Sequence, residues 1–249
     1  MPNIFKPSSN SAAKLSLLLG LAAPVLGLGI GSAVSRSSAN TGVGVALDQP
    51  IPFSHKHHAD ELGIDCRYCH TSVEISAKAG LPQTETCMTC HSQIWTNSPL
   101  LDPIRKSYET GKPIKWNLVN KAPEFVYFNH SLHIDRGVNC NNCHGAIQKM
   151  HITAKGRPFH MVWCLECHRE PEKYLYKDKT QPNLSPRQQV FNLYQKVQLD
   201  RNPAEWSAPE RNLAKGLEQK GGDIEEGKKI VLERGLKKAQ MEDCSVCHY

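Results

Sequence analysis

All ten cysteines of this 249-residue chain fall in pairs two residues apart, and each pair is followed at once by histidine. The five motifs are Cys66/Cys69 with His70, Cys87/Cys90 with His91, Cys140/Cys143 with His144, Cys164/Cys167 with His168, and Cys244/Cys247 with His248. Disulfides or zinc sites use the same pair spacing but give no reason for the added histidine. Covalent haem attachment gives one: the two thiols bond the haem vinyls and the next imidazole lies under the iron as proximal ligand. The expected cofactor is therefore five covalently bound haem c, with His70, His91, His144, His168 and His248 as proximal ligands.

Seven histidines remain for the opposite faces: His55, His57, His58, His130, His133, His151 and His160. Two stretches repeat one order of residues. FSHKHHADELGIDCRYCH leads from Phe53 to CMTCH ending at His91, and FNHSLHIDRGVNCNNCH leads from Phe128 to CLECH ending at His168. Each opens Phe-x-His-x-x-His, which puts two imidazoles at i and i+3, neighbours on one helical face able to reach two different haems. His55, His58, His130 and His133 are thus the expected distal ligands. His57 falls outside the repeated pattern and reads as a surface residue. For the fifth iron, Met150 and Met161 are equal candidates, since a thioether is a common distal ligand that raises the potential, although methionine is more often packing filler. Irons filled on both faces leave no open position for substrate, which points to electron transfer and away from catalysis.

The elements that must hold these ligands are short. The expected fold is mostly α and irregular, a multihaem c-type cytochrome domain of class III-like cassettes with little or no sheet. Ahead of it, Leu15 to Val34 runs twenty residues without a charge, about 30 Å of helix and enough to cross a bilayer core. Lys6 and Lys14 on its leading side place the N-terminus in the cytoplasm and the haem domain on the periplasmic side of the cell membrane. A cleaved secretory signal ending at Gly31-Ser32-Ala33 is the alternative, with an apolar region longer than such signals have.

The expected divisions are 1–14 cytoplasmic, 15–34 membrane-spanning, 35–52 a Ser-, Gly- and Asn-rich linker, 53–127 the first cassette and connector, 128–175 the second cassette, and 176–249 a helical arm ending in the fifth motif. Within them, Gly80 and Pro82 mark a turn, and SPLLDPIRKSYETGKP reads as a helix with Pro103 early and Gly111 at its end. In the arm, Ser185-Pro186 opens a helix through Leu199, Ser207 and Glu210 form a capping box, and Asp223 caps a helix ending near Gly235. The formal charge of +6 does not point to nucleic acid. About ten propionates, partly offset by about one positive charge per ferric iron, make the loaded protein roughly neutral or acidic.

FSHKHHADELGIDCRYCHTSVE, ETCMTCHSQIW with SPLLDPIRKSYETGKPIKW, VYFNHSLHIDRGVNC and WCLECHREPEKYL together resemble the pentahaem cytochrome c subunit of alternative complex III, over roughly residues 51–175. The resemblance implies an N-terminal membrane anchor. It also implies a relay within a respiratory or photosynthetic complex that oxidises quinol, taking electrons from an iron–sulfur subunit and passing them to a monohaem cytochrome c or a soluble acceptor. Met150 in CHGAIQKM and Met161 in HMVWCLECH match that family's methionine candidates, while His151 and His160 beside them depart from it. A stand-alone membrane-anchored multihaem quinol dehydrogenase and a multihaem reductase are the rival readings. The reductase would need an open iron, and five intact motifs with sufficient distal candidates count against it.

Overall fold

The computed structural model describes residues 6, 8–200, 202–215 and 224–248. It divides into two units, Met1–Val43 and Gly44–Tyr249. The first is dominated by one helix, Ser9–Arg36, whose side chains are exposed almost throughout despite Leu, Val and Ile along its length. At 28 residues it is about 42 Å long, sufficient by length and composition to cross a membrane. Pro24 lies inside it.

The second unit has helices no longer than the fourteen-residue Pro186–Leu199, joined by turns; among the described residues the only β pairing is two isolated bridges, Ala46 with Ala154 and Val126 with His248. Local chemistry explains the segmentation. Asp65, Asn139 and Asp243, each immediately before a motif, accept from the backbone N–H two residues on and start the one-turn helices Cys66–Cys69, Cys140–His144 and Cys244–Cys247. The second and fourth motifs instead end longer helices, Thr84–His91 and Met161–Arg169. Asp102–Thr110 stops at Gly111, as the sequence suggests, and Pro186–Leu199 carries the Ser185/Gln188 capping box. The Ser207/Glu210 box starts Ala208–Ala214. Ile224–Glu233 precedes Gly235, while its expected cap Asp223 lies outside the described residues.

The linker expected over 35–52 divides differently. From Gly44 onward it lies against the second unit: the Gly44 N–H donates to the Lys155 carbonyl, Gln49 exchanges hydrogen bonds with Asn117, and Ile51 is buried with Leu101 and Ile104. Burial of Ile51 is the physical reason, because an apolar side chain ahead of the first cassette gains more in that cluster than in water.

The arm begins as an internal brace. Val190, Phe191, Leu193 and Tyr194 of Pro186–Leu199 are all buried. The Tyr194 hydroxyl bonds Asn139 and Asn141 at the third motif, the Gln195 amide donates to Asp65 at 2.7 Å, and the Arg67 guanidinium lies over the Phe191 ring at 4.5 Å. Arg187 donates to the Glu74 carbonyl and pairs with Asp135 at 3.0 Å. One helix therefore holds both cassettes.

Candidate haem sites

Phe53 and Phe128 explain the first residue of the repeated pattern. Phe53 lies edge-on to His55 and flat against His58, with interplanar angles of 90° and 27°. Phe128 treats His130 and His133 alike, at 85° and 29°. In each cassette one aromatic ring fixes two imidazoles at right angles to each other's stacking direction.

Each of the four histidines then faces a different motif histidine. Ring centres are 6.5 Å apart for His55 and His70, 6.2 Å for His58 and His91, 6.3 Å for His130 and His144, and 6.2 Å for His133 and His168. Two imidazoles bonded through one nitrogen each to a shared metal, with bonds of about 2 Å, place their ring centres about 6 Å apart. Imidazoles in direct stacking contact would be closer. The spacing thus fits an ion between each pair, and the two thiols of each of these motifs are free of disulfides.

Ring nitrogens are sorted in the same sense. His58 Nδ1 bonds the Ser54 carbonyl at 2.9 Å and His133 Nδ1 the Asn129 carbonyl at 2.7 Å, both four residues back. His70, His91 and His168 point Nδ1 at the carbonyls of Gly80, Ile94 and Met241, at 2.7, 3.3 and 2.9 Å. A carbonyl accepts only from N–H, so each bond fixes the proton on Nδ1 and leaves the Nε2 lone pair for metal. Burial pushes the His55 and His144 pKa values down to about 4 and lowers those of His58, His130 and His133, which keeps these rings neutral, the form that ligates.

The first histidine of each cassette is oriented by the other cassette. His55 Nδ1 meets Thr153 Oγ1 at 3.1 Å, and Thr153 lies between the third and fourth motifs. His130 Nδ1 meets the Ala77 carbonyl at 2.8 Å, and Ala77 lies between the first and second. No sequence signal marks Ala77, because its carbonyl does the work; Thr153 is one hydroxyl among several.

Between the second histidine and the turn glycine the cassettes differ by one residue: four residues separate His58 from Gly63, three separate His133 from Gly137. The first absorbs the extra residue by widening Lys56–Glu61 into a π-helix, where the second keeps an α-helix over His130–Asp135. Gly63 and Gly137, at φ +69° and +75°, then return both chains to the same path into the motif.

The remaining candidates are placed as follows. His57 is exposed and paired with Glu61 at 3.0 Å. His151 and His160 are exposed. Met150 sits in the turn that meets the first cassette: its carbonyl accepts from the Lys56 N–H, and its sulfur lies 3.5 Å from the Ala154 N–H. Met161 is 61% exposed at the start of the helix that carries the fourth motif. The fifth motif is held by earlier segments: Val126 bridges His248, the Tyr127 N–H donates to the Cys247 carbonyl at 2.8 Å, and the Phe125 ring stacks on His248 at 5.7 Å.

Residues 32–102 match the class III cytochrome c family, and residues 126–189 match cytochrome c7 and related cytochromes c. A curated relative, the menaquinone reductase multiheme cytochrome c subunit of Nitratidesulfovibrio vulgaris (strain Hildenborough), is 39% identical over 98 residues, which are 39% of this chain and 46% of the relative. The chain thus spans less than half the length of that relative. With a mostly helical and irregular framework and, among the described residues, no sheet, the two matched stretches are multihaem cytochrome c domains, a type that carries covalently bound haem c.

Proposed function

We propose that the chain is a membrane-anchored pentahaem cytochrome c that relays electrons within a quinone-linked membrane complex and does no substrate chemistry of its own. The observation that carries this reading is the set of four histidine pairs at one spacing, each with a thiol pair beside it. The ten motif cysteines would hold five haems, with the five motif histidines proximal and His55, His58, His130 and His133 distal. Bound haem c supplies reversible one-electron chemistry. The chain's residues hold the rings, keep Nδ1 protonated through carbonyl acceptors, and exclude water from the buried imidazoles.

For the fifth iron the reading favours Met161 over Met150. The Met150 sulfur faces a backbone N–H in the turn beside His55. Met161 is three residues before Cys164 on one helix face, and that helix packs against Lys238–Met241, next to the fifth motif.

The exposed apolar helix Ser9–Arg36 would anchor the chain, with the haem domain on the periplasmic side. An iron–sulfur subunit would donate and a monohaem cytochrome c or soluble acceptor would receive, as in alternative complex III. The relative's name favours a second reading with the flow reversed, toward menaquinone.

Pyridine haemochrome analysis of the purified protein should give five haems per chain, and three or fewer would sink the assignment. Met161→Leu should abolish the weak far-red iron–sulfur band of the oxidised protein, with Met150→Leu leaving it intact. Haem reduction by a menaquinol analogue in the detergent-extracted complex, against haem oxidation by the quinone, separates the two directions.

A further inference from the structure

The contacts between motifs do not follow chain order. The first and second motifs meet through their own middle residues: the Tyr68 hydroxyl lies 2.8 Å from Thr89 Oγ1. The first and third share the brace helix, Asp65 through Gln195 and Asn141 through Tyr194, and exchange the Thr153 and Ala77 bonds. The third and fourth are joined through Tyr174, whose carbonyl accepts from Asn142 and whose hydroxyl donates to Glu166, each at 3.3 Å. Phe159 adds a second join, 6.2 Å from the His144 ring and 5.3 Å from Trp163. The fourth and fifth meet where His168 Nδ1 bonds the Met241 carbonyl and Arg169 pairs with Glu242 at 3.2 Å.

From these joins we infer that the five haem sites form a single file in the order second, first, third, fourth, fifth, and that electrons are exchanged with partners at the second and fifth. This rests on the pentahaem reading and adds the path through it. Burial agrees with the two ends. Cys90 of the second motif and Cys244 of the fifth are exposed, while every other motif cysteine is half-buried. The thiols are ordered alike, Cys66 facing Cys140 and Cys164 lying near Cys247. An electron entering at the second site would cross to the first, jump to the other cassette, and reach the C-terminal motif last.

The test is an iron-resolved map of the full haem-loaded protein, with the haem count measured on the same sample. The expected result is a file in which the second iron has only the first as close neighbour and the fifth has only the fourth. Five haems in another order would overturn the file and leave the pentahaem reading standing; a count of three or fewer would overturn both. An interior haem edge open to solvent with an end edge covered would overturn exchange at the ends. Redox titration gives a second readout. His58→Met, raising the potential at an end of the file, should move the midpoint of one other haem, and His55→Met should move two. Equal numbers for the two variants would overturn the order.

Discussion

The two cassettes solve one problem with different backbones. Each uses a phenylalanine to set two histidines, a left-handed glycine to turn the chain, and an Asx residue to start the first motif. The first carries one residue more between its second histidine and that glycine and takes it up as a π-helix, and its second pair, His58 and His91, is crossed at 61°, where His133 and His168 lie at 24°. The ring spacing is nevertheless 6.2 Å in both. Ring separation is thus the same in the two copies and ring rotation is not, which points to distance as the quantity the fold enforces.

Removing a distal imidazole should have the largest effect and tests the equivalence directly. His58→Ala and His133→Ala should each open one iron, giving one high-spin haem and one equivalent of carbon monoxide bound per reduced chain, with the unmodified protein binding it poorly. Two opened irons from a single substitution would mean that the cassettes share ligands.

The glycines should separate the cassettes by stability. A Cβ at Gly137 would meet the Arg234 guanidinium at 2.5 Å, whereas one at Gly63 would reach only Leu199 Cδ2 at 3.4 Å. Both sites carry the left-handed penalty of about 1–2 kcal/mol, so Gly63→Ala should cost about that much and Gly137→Ala more. Arg234 cannot swing away freely, since it donates to the Arg136 and Tyr176 carbonyls. Denaturant unfolding of the two variants checks the order, and equal costs would remove the distinction.

The smallest effect belongs to the exchanged hydrogen bonds. Thr153→Val should remove one bond of about 1 kcal/mol and raise the potential of the first haem alone, because a less basic imidazole stabilises ferric iron less. His130 relies on a backbone carbonyl, so no substitution at Ala77 should reproduce the shift. Potentiometry resolved by haem would show it, and an unchanged first haem would mean that Thr153 only packs.

Legibility in the sequence followed the range of the interaction. The helix Pro186–Leu199 was readable to the residue because Ser185, Pro186 and Gln188 act within one turn. The four histidine pairs were half readable. Phe-x-His-x-x-His names His55, His58, His130 and His133, but which motif histidine each would face depends on the path of the intervening chain. Thr153 and Ala77 were not readable, being 98 and 53 residues from the rings they orient. The π-helix left a trace, one extra residue between His58 and Gly63, yet only the backbone shows where that residue is absorbed. For the fifth motif the sequence offered two methionines on equal terms, and the preference proposed for Met161 rests on the place of Met150 in the turn beside His55.

The brace helix also bears on how the protein matures. Gln195 reaches Asp65 across 130 positions and Arg187 reaches Glu74 across 113. These loops are among the longest in the chain, and their closure entropy must be met before the contacts form. A chain emerging N-terminus first presents four of its five motifs before Leu199 exists to join them. During that interval the chain offered for haem attachment would be open and unbraced, and the late helix would then join the two cassettes.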